Sequence, residues 1–443
     1  MLYLEKKLAV LNDAADTRLV SPGAIISELT NYGIGVSTRI NTHLPDSRKS
    51  NFRGHIMVGF RFAMVGFLAL TATSGRIFAQ DVLSTALAST PAGYWLDAGK
   101  LVKGNSKMSD VAWNCSSAPC PGNGPLASSI SGHTGPSAIM NGWSGGALDT
   151  DSSRLLVWGG GHQGYYGNEV YGFSLKSLTW SRLTIPSSTA NWNQTSSPDV
   201  LPDGTPAACH TYNSLQYLPG KGFAIFGALF CSDAASGIAN GWLLDLSKQN
   251  PDAFGKWKRS LKPSPSNSYG ASAVDPVTGH IFQVCFQIGG VDYAFYEYDP
   301  TKDTWTKRGD GGLGVAYPNA AIDPVRKNFV AVGQGKIFVF STTTGNLTTP
   351  VTSGPQVVQS GQSPGFVWYA PWNKFVGWNG GSSLYLLDPV TWAWSELPAT
   401  GGAVPTAPNG RGTYGRFQYD PFHNVFMVVN RWNESVFIYK PGK

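Results

Sequence analysis

Charged residues make up only 14% of this 443-residue chain, while Gly and Pro number 53 and 29. A coiled coil or helical bundle needs the reverse balance, rich in Glu and Lys and poor in Gly. An aromatic content of 12% excludes a disordered chain. The sequence has no P-loop, no G-x-S-x-G elbow and no dinucleotide fingerprint set between a strand and a helix. Gly159-Gly160-Gly161 is followed by strand-like sequence, so it is a poor phosphate cradle. The Asp-box of sialidases, Ser-x-Asp-x-Gly-x-Thr-Trp, is missing. Cysteine is scarce, at five residues, with neither zinc-ribbon nor C-x-x-C spacing. What remains is a Gly-, Pro- and aromatic-rich chain suited to many short strands and turns.

The formal net charge of +6 and sequence pI near 8.9 suggest an acidic partner until the charges are located. Nine of the 33 Lys and Arg lie in residues 1–80, against five of the 27 acids, which leaves +2 for the rest. No basic run of nucleic-acid-binding type remains, so nucleic acid is not an expected partner. The same N-terminal region has the layout of a secretory leader. Met57-Val58-Gly59-Phe60-Arg61-Phe62 carries positive charge, an apolar run follows from Ala63 to Thr73, and Ser74-Gly75-Arg76-Ile77-Phe78-Ala79 offers a cleavage site after Ala79. The apolar run is too short to span a bilayer comfortably. Residues 57–80 are therefore expected to be a signal peptide, with translation starting at Met57 or Met64 and residues 1–56 not belonging to the working protein. The expected location is secreted or periplasmic, with no membrane attachment after cleavage.

Cysteine placement fits an oxidising compartment. Cys115 and Cys120 bracket a short Ser- and Pro-rich loop. Cys209 and Cys231 flank a hairpin-like stretch turning at Pro219-Gly220-Lys221. Residues facing each other across a hairpin have a constant index sum, and Cys209 and Cys231 are symmetric about Gly220. Both pairs are expected to be disulfides. Cys285 is left over as a buried thiol.

From about residue 137 one unit recurs six times. Each has an aromatic, small residues, an apolar strand, a sharp corner and a returning apolar strand. The corners begin at Asp149, Leu218, Asp275, Asp323, Ala370 and Asp420. Six residues before them stand Trp143, Tyr212, Tyr269, Tyr317, Pro364 and Tyr414. Gly pairs end second strands at Gly159-Gly160, Gly289-Gly290 and Gly380-Gly381. An apolar residue and a later Trp close the third and fourth strands, as Phe173 with Trp180, Tyr298 with Trp305 and Leu387 with Trp394. Trp242 and Trp257 mark a longer second unit, and the fourth lacks the Trp.

This pattern resembles the kelch repeat of galactose-oxidase-type β-propellers over residues 137–443. The resemblance implies an all-β, six-bladed propeller in which radial packing buries both faces of each four-stranded sheet. The sixth unit ends without its Trp strand, and Ala92-Gly93-Tyr94-Trp95-Leu96 is available to complete that blade and close the ring. Residues 81–136 are thus a closing strand and a Cys-clipped loop. The alternative, seven blades, would place a degenerate blade in 100–136.

In a propeller, the loops between strands 2 and 3 and between blades share the face where each inner strand starts, here called the top. The turns between strands 1 and 2 lie on the bottom. His280 and His423 fall at bottom corners and read as surface histidines. His133, His162 and His210 map to the top. His162 sits in Trp158-Gly159-Gly160-Gly161-His162-Gln163-Gly164-Tyr165-Tyr166-Gly167-Asn168-Glu169, and His210 opens the second inner strand just before Tyr212. The sixth blade adds Arg411, Tyr414, Arg416, Arg431, Trp432 and Glu434, and the fifth adds Trp378. The candidate catalytic set is His162, His210, Tyr212 and Tyr166. The candidate substrate-binding set is Arg411, Arg431, Asn168, Glu169, Trp378 and Trp432. For Tyr212 and Tyr414 a core role competes, because they occupy a repeated aromatic position.

Three functions fit these residues. Several propeller families degrade uronic-acid glycans by β-elimination, which needs a cation for the uronate, a base and an acid. Arg411 or Arg431 with His and Tyr side chains supply that set, and Trp378 and Trp432 offer sugar-stacking faces. The expected partner is accordingly a glycan or polysaccharide. The second reading is a non-catalytic platform for glycan or protein. The third is a copper-radical oxidase, ranked last because the cysteines read as disulfides. No cofactor is assigned, and His133, His162 and His210 are the candidate metal ligands.

Overall fold

The computed structural model describes residues 81–442 except 229–230, 233–239, 247–255, 264–268 and 285–293. The extension, the leader, Cys285 and Gly289-Gly290 lie outside the described residues. Helix α1, Val82–Ser89, comes first, its N-terminus capped by Asp81 through a bond from the Ser84 amide at 2.9 Å. Strand β1, Tyr94–Asp97, follows. Six antiparallel sheets of mostly four-residue strands then form a six-bladed β-propeller. Blade 1 is β2 (Gly146–Asp149), β3 (Arg154–Val157), β4 (Tyr171–Ser174) and β5 (Thr179–Arg182). Blade 2 is β6 (Leu215–Leu218), β7 (Gly222–Ile225), β8 (Asn240–Asp245) and β9 (Lys256–Pro263). Blade 3 is β10 (Ala271–Val274), β11 (Ile281–Val284), β12 (Ala294–Asp299) and β13 (Thr304–Asp310). Blade 4 is β14 (Asn319–Asp323), β15 (Asn328–Gly333), β16 (Lys336–Ser341) and β17 (Leu347–Thr348). Blade 5 is β18 (Gly365–Tyr369), β19 (Lys374–Trp378), β20 (Leu384–Leu387) and β21 (Trp394–Leu397). Blade 6 has β23 (Phe417–Asp420), β24 (Val425–Val428) and β25 (Phe437–Lys440), with β1 antiparallel to β25 and short β22 (Gly401–Gly402) beyond it. Residues 100–136 form loops and short helical turns with no strand, which removes the seven-blade alternative.

Alternation along the strands explains the radial packing. Side chains of successive strand residues point to opposite faces. In β15, Phe329 and Ala331 join a cluster with blade 3, while Val330 and Val332 join one with blade 5. Leu155 and Val157 of β3 face blade 6, while Leu156 faces blade 2. Among the described residues the hydrophobic core is therefore six clusters, one between each pair of neighbouring blades. Each fully buried Phe, Leu or Val contributes roughly 1.5–3 kcal/mol.

The repeated pairs occupy one register. Phe173 opposes Trp180, Tyr298 opposes Trp305 and Leu387 opposes Trp394. Blade 4 keeps the register with Leu347 opposite Phe340, so the smaller side chain replaces the Trp. In blade 2, Leu215 pairs with Ile225 and Leu218 with Gly222. This register, symmetric about Gly220, leads to the Cys209–Cys231 disulfide, with Cα atoms 4.1 Å apart. Cys115–Cys120 forms as well.

The bottom corners that begin with Asp are Asx turns. Asp323 Oδ1 accepts from the Val325 and Arg326 amides, and Asp149 Oδ1 accepts from those of Asp151 and Ser152. His280 is partly exposed beside Glu297, as expected of a corner residue. His423 is not a surface histidine. Its side chain is fully buried between Asp420, at 2.5 Å, and Asp81 at the start of α1, at 3.0 Å. Burial alone would lower its pKa, but bonds to Asp420 and Asp81 outweigh that and raise it.

Candidate functional site

The aligned aromatics share a backbone conformation. Trp143, Tyr212, Tyr269, Tyr317 and Tyr414 all have φ between 46° and 62°. This left-handed region costs a non-glycine residue about 1–3 kcal/mol. It turns each side chain off the strand just before the inner strand begins. Neighbouring blades are tied there by Tyr212 N–H to Trp143 C=O at 2.7 Å and Tyr317 N–H to Tyr269 C=O at 2.9 Å. The sixth position is Pro364, whose ring forbids positive φ.

Four of these residues form a plug on the propeller axis. Tyr212 of blade 2 lies 5.0 Å from Tyr269, 5.5 Å from Tyr317 and 5.9 Å from Tyr414, between ring centroids. Rings from blades 2, 3, 4 and 6 meet only at the centre. Burial first, then the neighbouring tyrosines, pushes the Tyr212 hydroxyl far above its usual range, and burial does the same to Tyr414. Both stay protonated.

Trp143, the blade 1 member, turns to the histidines instead. The Arg411 guanidinium carbon lies 3.8 Å from its ring centroid, a cation–π contact. His210 lies 4.8 Å from Trp143, and His162 lies 5.7 Å from His210. His210 is 5% exposed. Its Nδ1 is 3.4 Å from Tyr212 Oη. Burial, then the His162 and Arg411 charges, lowers the His210 pKa to about 3. His210 is therefore a neutral imidazole at neutral pH. The Cys209–Cys231 bridge and a bond from Gly160 N–H to Cys209 C=O, at 3.1 Å, fix its strand start against the blade 1 loop.

That loop holds His162 out to solvent. His162 and Gln163 have φ of 44° and 64°. Gly161 N–H bonds Tyr165 C=O, Gly164 N–H bonds Gly161 C=O and Gln163 N–H bonds Tyr166 Oη. A Cβ on Gly160 would run into the Tyr165 carbonyl, so glycine is required there. His133 N–H bonds Gln163 C=O at 2.9 Å, which places its backbone beside the same loop.

Other expected site residues are buried or engaged within their own loops. Asn168 is 2% exposed and braces the scaffold: its Nδ2 bonds Thr205 Oγ1 and Pro206 C=O, and its Oδ1 takes the Ser187 amide. Glu169 is fully buried and accepts from Tyr165 Oη at 2.7 Å and Tyr171 Oη at 2.9 Å. Burial raises its pKa, against the opposing effect of those bonds. Tyr166 is buried, its hydroxyl taken by Gln163 and its ring against Trp192 at 5.1 Å. Trp378 is buried in the core between blades 5 and 6 with its Nε1 on Gly381 C=O. Arg431 pairs with Glu434 in its own loop at 2.8 Å, and half-buried Trp432 packs on the blade 6–blade 1 core. Arg416 is fully buried.

Among the described residues no three His, Cys, Asp or Glu side chains are grouped to hold a metal ion. The four described cysteines are consumed in disulfides, so a Tyr–Cys cross-link of copper-radical type has no partner among the described residues. Trp143 is the residue sequence reasoning left out. Its signal was a Trp at a position that is Tyr in four other blades.

Comparison of the chain with models of known protein families and with curated proteins finds no match.

Proposed function

We propose that the top face binds an acidic glycan and cleaves uronate polymers by β-elimination. The observation that carries this reading is the run Arg411–Trp143–His210–His162, with successive separations of 3.8, 4.8 and 5.7 Å. It sets an exposed cation, an aromatic face and two imidazoles in one sector. In the reaction, Arg411 pairs with the uronate carboxylate and Trp143 supports the sugar ring. With Nδ1–H donated to Tyr212 Oη, His210 Nε2 keeps its lone pair and takes the C5 proton. Those C–H electrons form the C4–C5 double bond as the C4–O bond breaks. His162 returns a proton to the departing oxygen. The unsaturated product absorbs in the ultraviolet. Incubation with a panel of uronate polymers should raise that absorbance, and His162→Ala and His210→Ala should each lower the rate at least about a hundredfold. No rise with any polymer, or full activity in both variants, overturns the reading.

The low basicity of His210 favours a second reading, a non-catalytic glycan-binding propeller. It expects ligand binding without turnover, unaffected by His162→Ala. The repeat spacing and common register support classing the blades as kelch-type. Two disulfides support export to a secreted or periplasmic location. Among the described residues, no helix is long and apolar enough to cross a membrane.

A further inference from the structure

Below the tyrosine plug the central channel is a cavity of about 380 Å³ that reaches the bottom corners. This lies within the ordinary range for small-molecule sites. All six blades contribute to its wall, and no lining residue is charged. Near the plug the wall is polar, with Asn213, Gln216, Asn319 and Gln418. Toward the bottom it is mainly proline and apolar residues, with Tyr217, Trp368, Tyr419 and Thr150 also in the lining. Exposed Val277, Val325 and Phe422 follow the lining residues Pro276, Pro324 and Pro421, which gives the mouth an apolar rim.

The carboxamides are oriented by the wall. Asn213 Nδ2 and Gln216 Nε2 both donate to Ser272 C=O at 3.0 Å, and Gln418 Nε2 donates to Gly415 C=O at 2.8 Å. A backbone carbonyl can only accept, so each amide must turn its NH2 to the wall. Asn319 is satisfied at both ends, by Pro364 C=O and by the Ala320 amide. The collar therefore offers the lumen acceptor oxygens, of Gln216, Gln418 and Asn213, and no charge. An ion would lose its hydration there without a counter-charge. A donor on an otherwise apolar molecule would meet an acceptor at the inner end and apolar wall along its length.

We infer that this cavity is a binding site for an uncharged, mainly apolar small molecule with one hydrogen-bond donor at its inner end. It lies on the far side of the plug from His210, so it stands or falls independently of the glycan reading.

The test uses N-phenyl-1-naphthylamine, an uncharged fluorophore with a single N–H. Titration into the full chain should give saturable enhancement. The N-methylated analogue, which lacks the donor, should bind about tenfold more weakly, the loss of one hydrogen bond at about 1.4 kcal/mol. Gln216→Trp and Gln418→Trp, which fill the lumen, should each abolish the signal while melting like the parent. No saturable enhancement overturns the site. Equal binding by parent and both folded Trp variants places the probe elsewhere and also overturns it. Equal affinity for the methylated analogue overturns the donor assignment. Should the Trp variants fail to fold, a crystal of the parent soaked with the probe decides: density in the channel supports the site, and density only elsewhere refutes it.

Discussion

Arg416 offers the sharpest test of how the top face is held together. Its side chain is fully buried. Nε donates to Ser144 C=O at 2.9 Å, Nη1 to Val429 and Asn430 C=O at 2.7 and 2.8 Å, and Nη2 to Gly412 C=O. One guanidinium thus joins the strand start of blade 1, the 2–3 loop of blade 6 and the segment that carries Arg411. Arg416→Met keeps most of the stem volume and removes every donor. Asn430 C=O retains a bond from Asn409 Nδ2. The other three carbonyls lose the donor described, at about 1–3 kcal/mol each. Relief of the buried charge offsets several kcal/mol of that gross loss. The net expectation is a destabilisation of about 3 kcal/mol. Urea unfolding followed by tryptophan fluorescence should show a lower midpoint with an unchanged slope, since the surface exposed on unfolding is the same. Arg416→Lys, a single ammonium that cannot reach all four carbonyls, should fall between the two. A Met variant within about 0.5 kcal/mol of the parent, the scatter of an ordinary surface substitution, would refute the role assigned to this guanidinium.

Other expectations follow from the same contacts. His423 has a raised folded-state pKa, so its contribution to stability is full below about pH 6.5, the unfolded imidazole value, and is lost as pH rises through the folded value. The facing charges are Asp420 and Asp81, with Lys176 stacked on neighbouring Phe422. Amide exchange over Val82–Ser89, corrected for intrinsic rate, should therefore quicken with pH in the parent and be fast and flat in His423→Gln; equal protection in both would remove the clamp. Removing Cys209–Cys231, which closes 22 residues, should cost about 3 kcal/mol, against about 2 kcal/mol for Cys115–Cys120, which closes five. The reverse order of melting temperatures in the paired Cys→Ala variants contradicts this. Gly160→Ala forces a side chain into φ 131° against Tyr165, with strain of about 1–3 kcal/mol. It should move His162 and depress any uronate cleavage as His162→Ala does, while Gly314→Ser, at an exposed glycine with open space around it and no positive φ, should not.

The blades were legible because the repeat constrains both distance and register. A spacing of six residues from aromatic to corner marks the start and end of five inner strands, and Pro364 holds the same place in blade 5. The Trp spacing gave cross-strand partners, and Phe340 with Leu347 shows the register surviving loss of the Trp. The site was legible only in part. Asn168 and Glu169 look exposed in a polar, Gly-rich loop, but residues from 100–136 and 187–206 cover that loop. Tyr166 N–H bonds Ser131 C=O, Trp113 N–H bonds Tyr171 Oη, and Asn168 is held by Thr205 and Pro206. Those covering segments have no strand periodicity, so nothing local announced them. His423 was misplaced for a similar reason: its partner Asp81 is 342 residues away in sequence.

The strained aromatics bear on function as well as on fold. Five left-handed residues at about 1–3 kcal/mol each approach the whole net stability of a typical domain. The inter-blade cores help to carry that cost. If the position served the axis alone, one residue type would serve every blade. Four blades do place Tyr there, and their rings close the channel. Blade 1 places Trp143 there in the same conformation, yet its ring lies against His210 and beneath Arg411. Trp143→Tyr separates the two explanations. A purely structural position would accept the change with no more than about 1 kcal/mol lost. A sugar-supporting surface would lose acidic-glycan affinity or turnover at unchanged melting temperature, because the smaller ring shortens the face shared by Arg411 and His210.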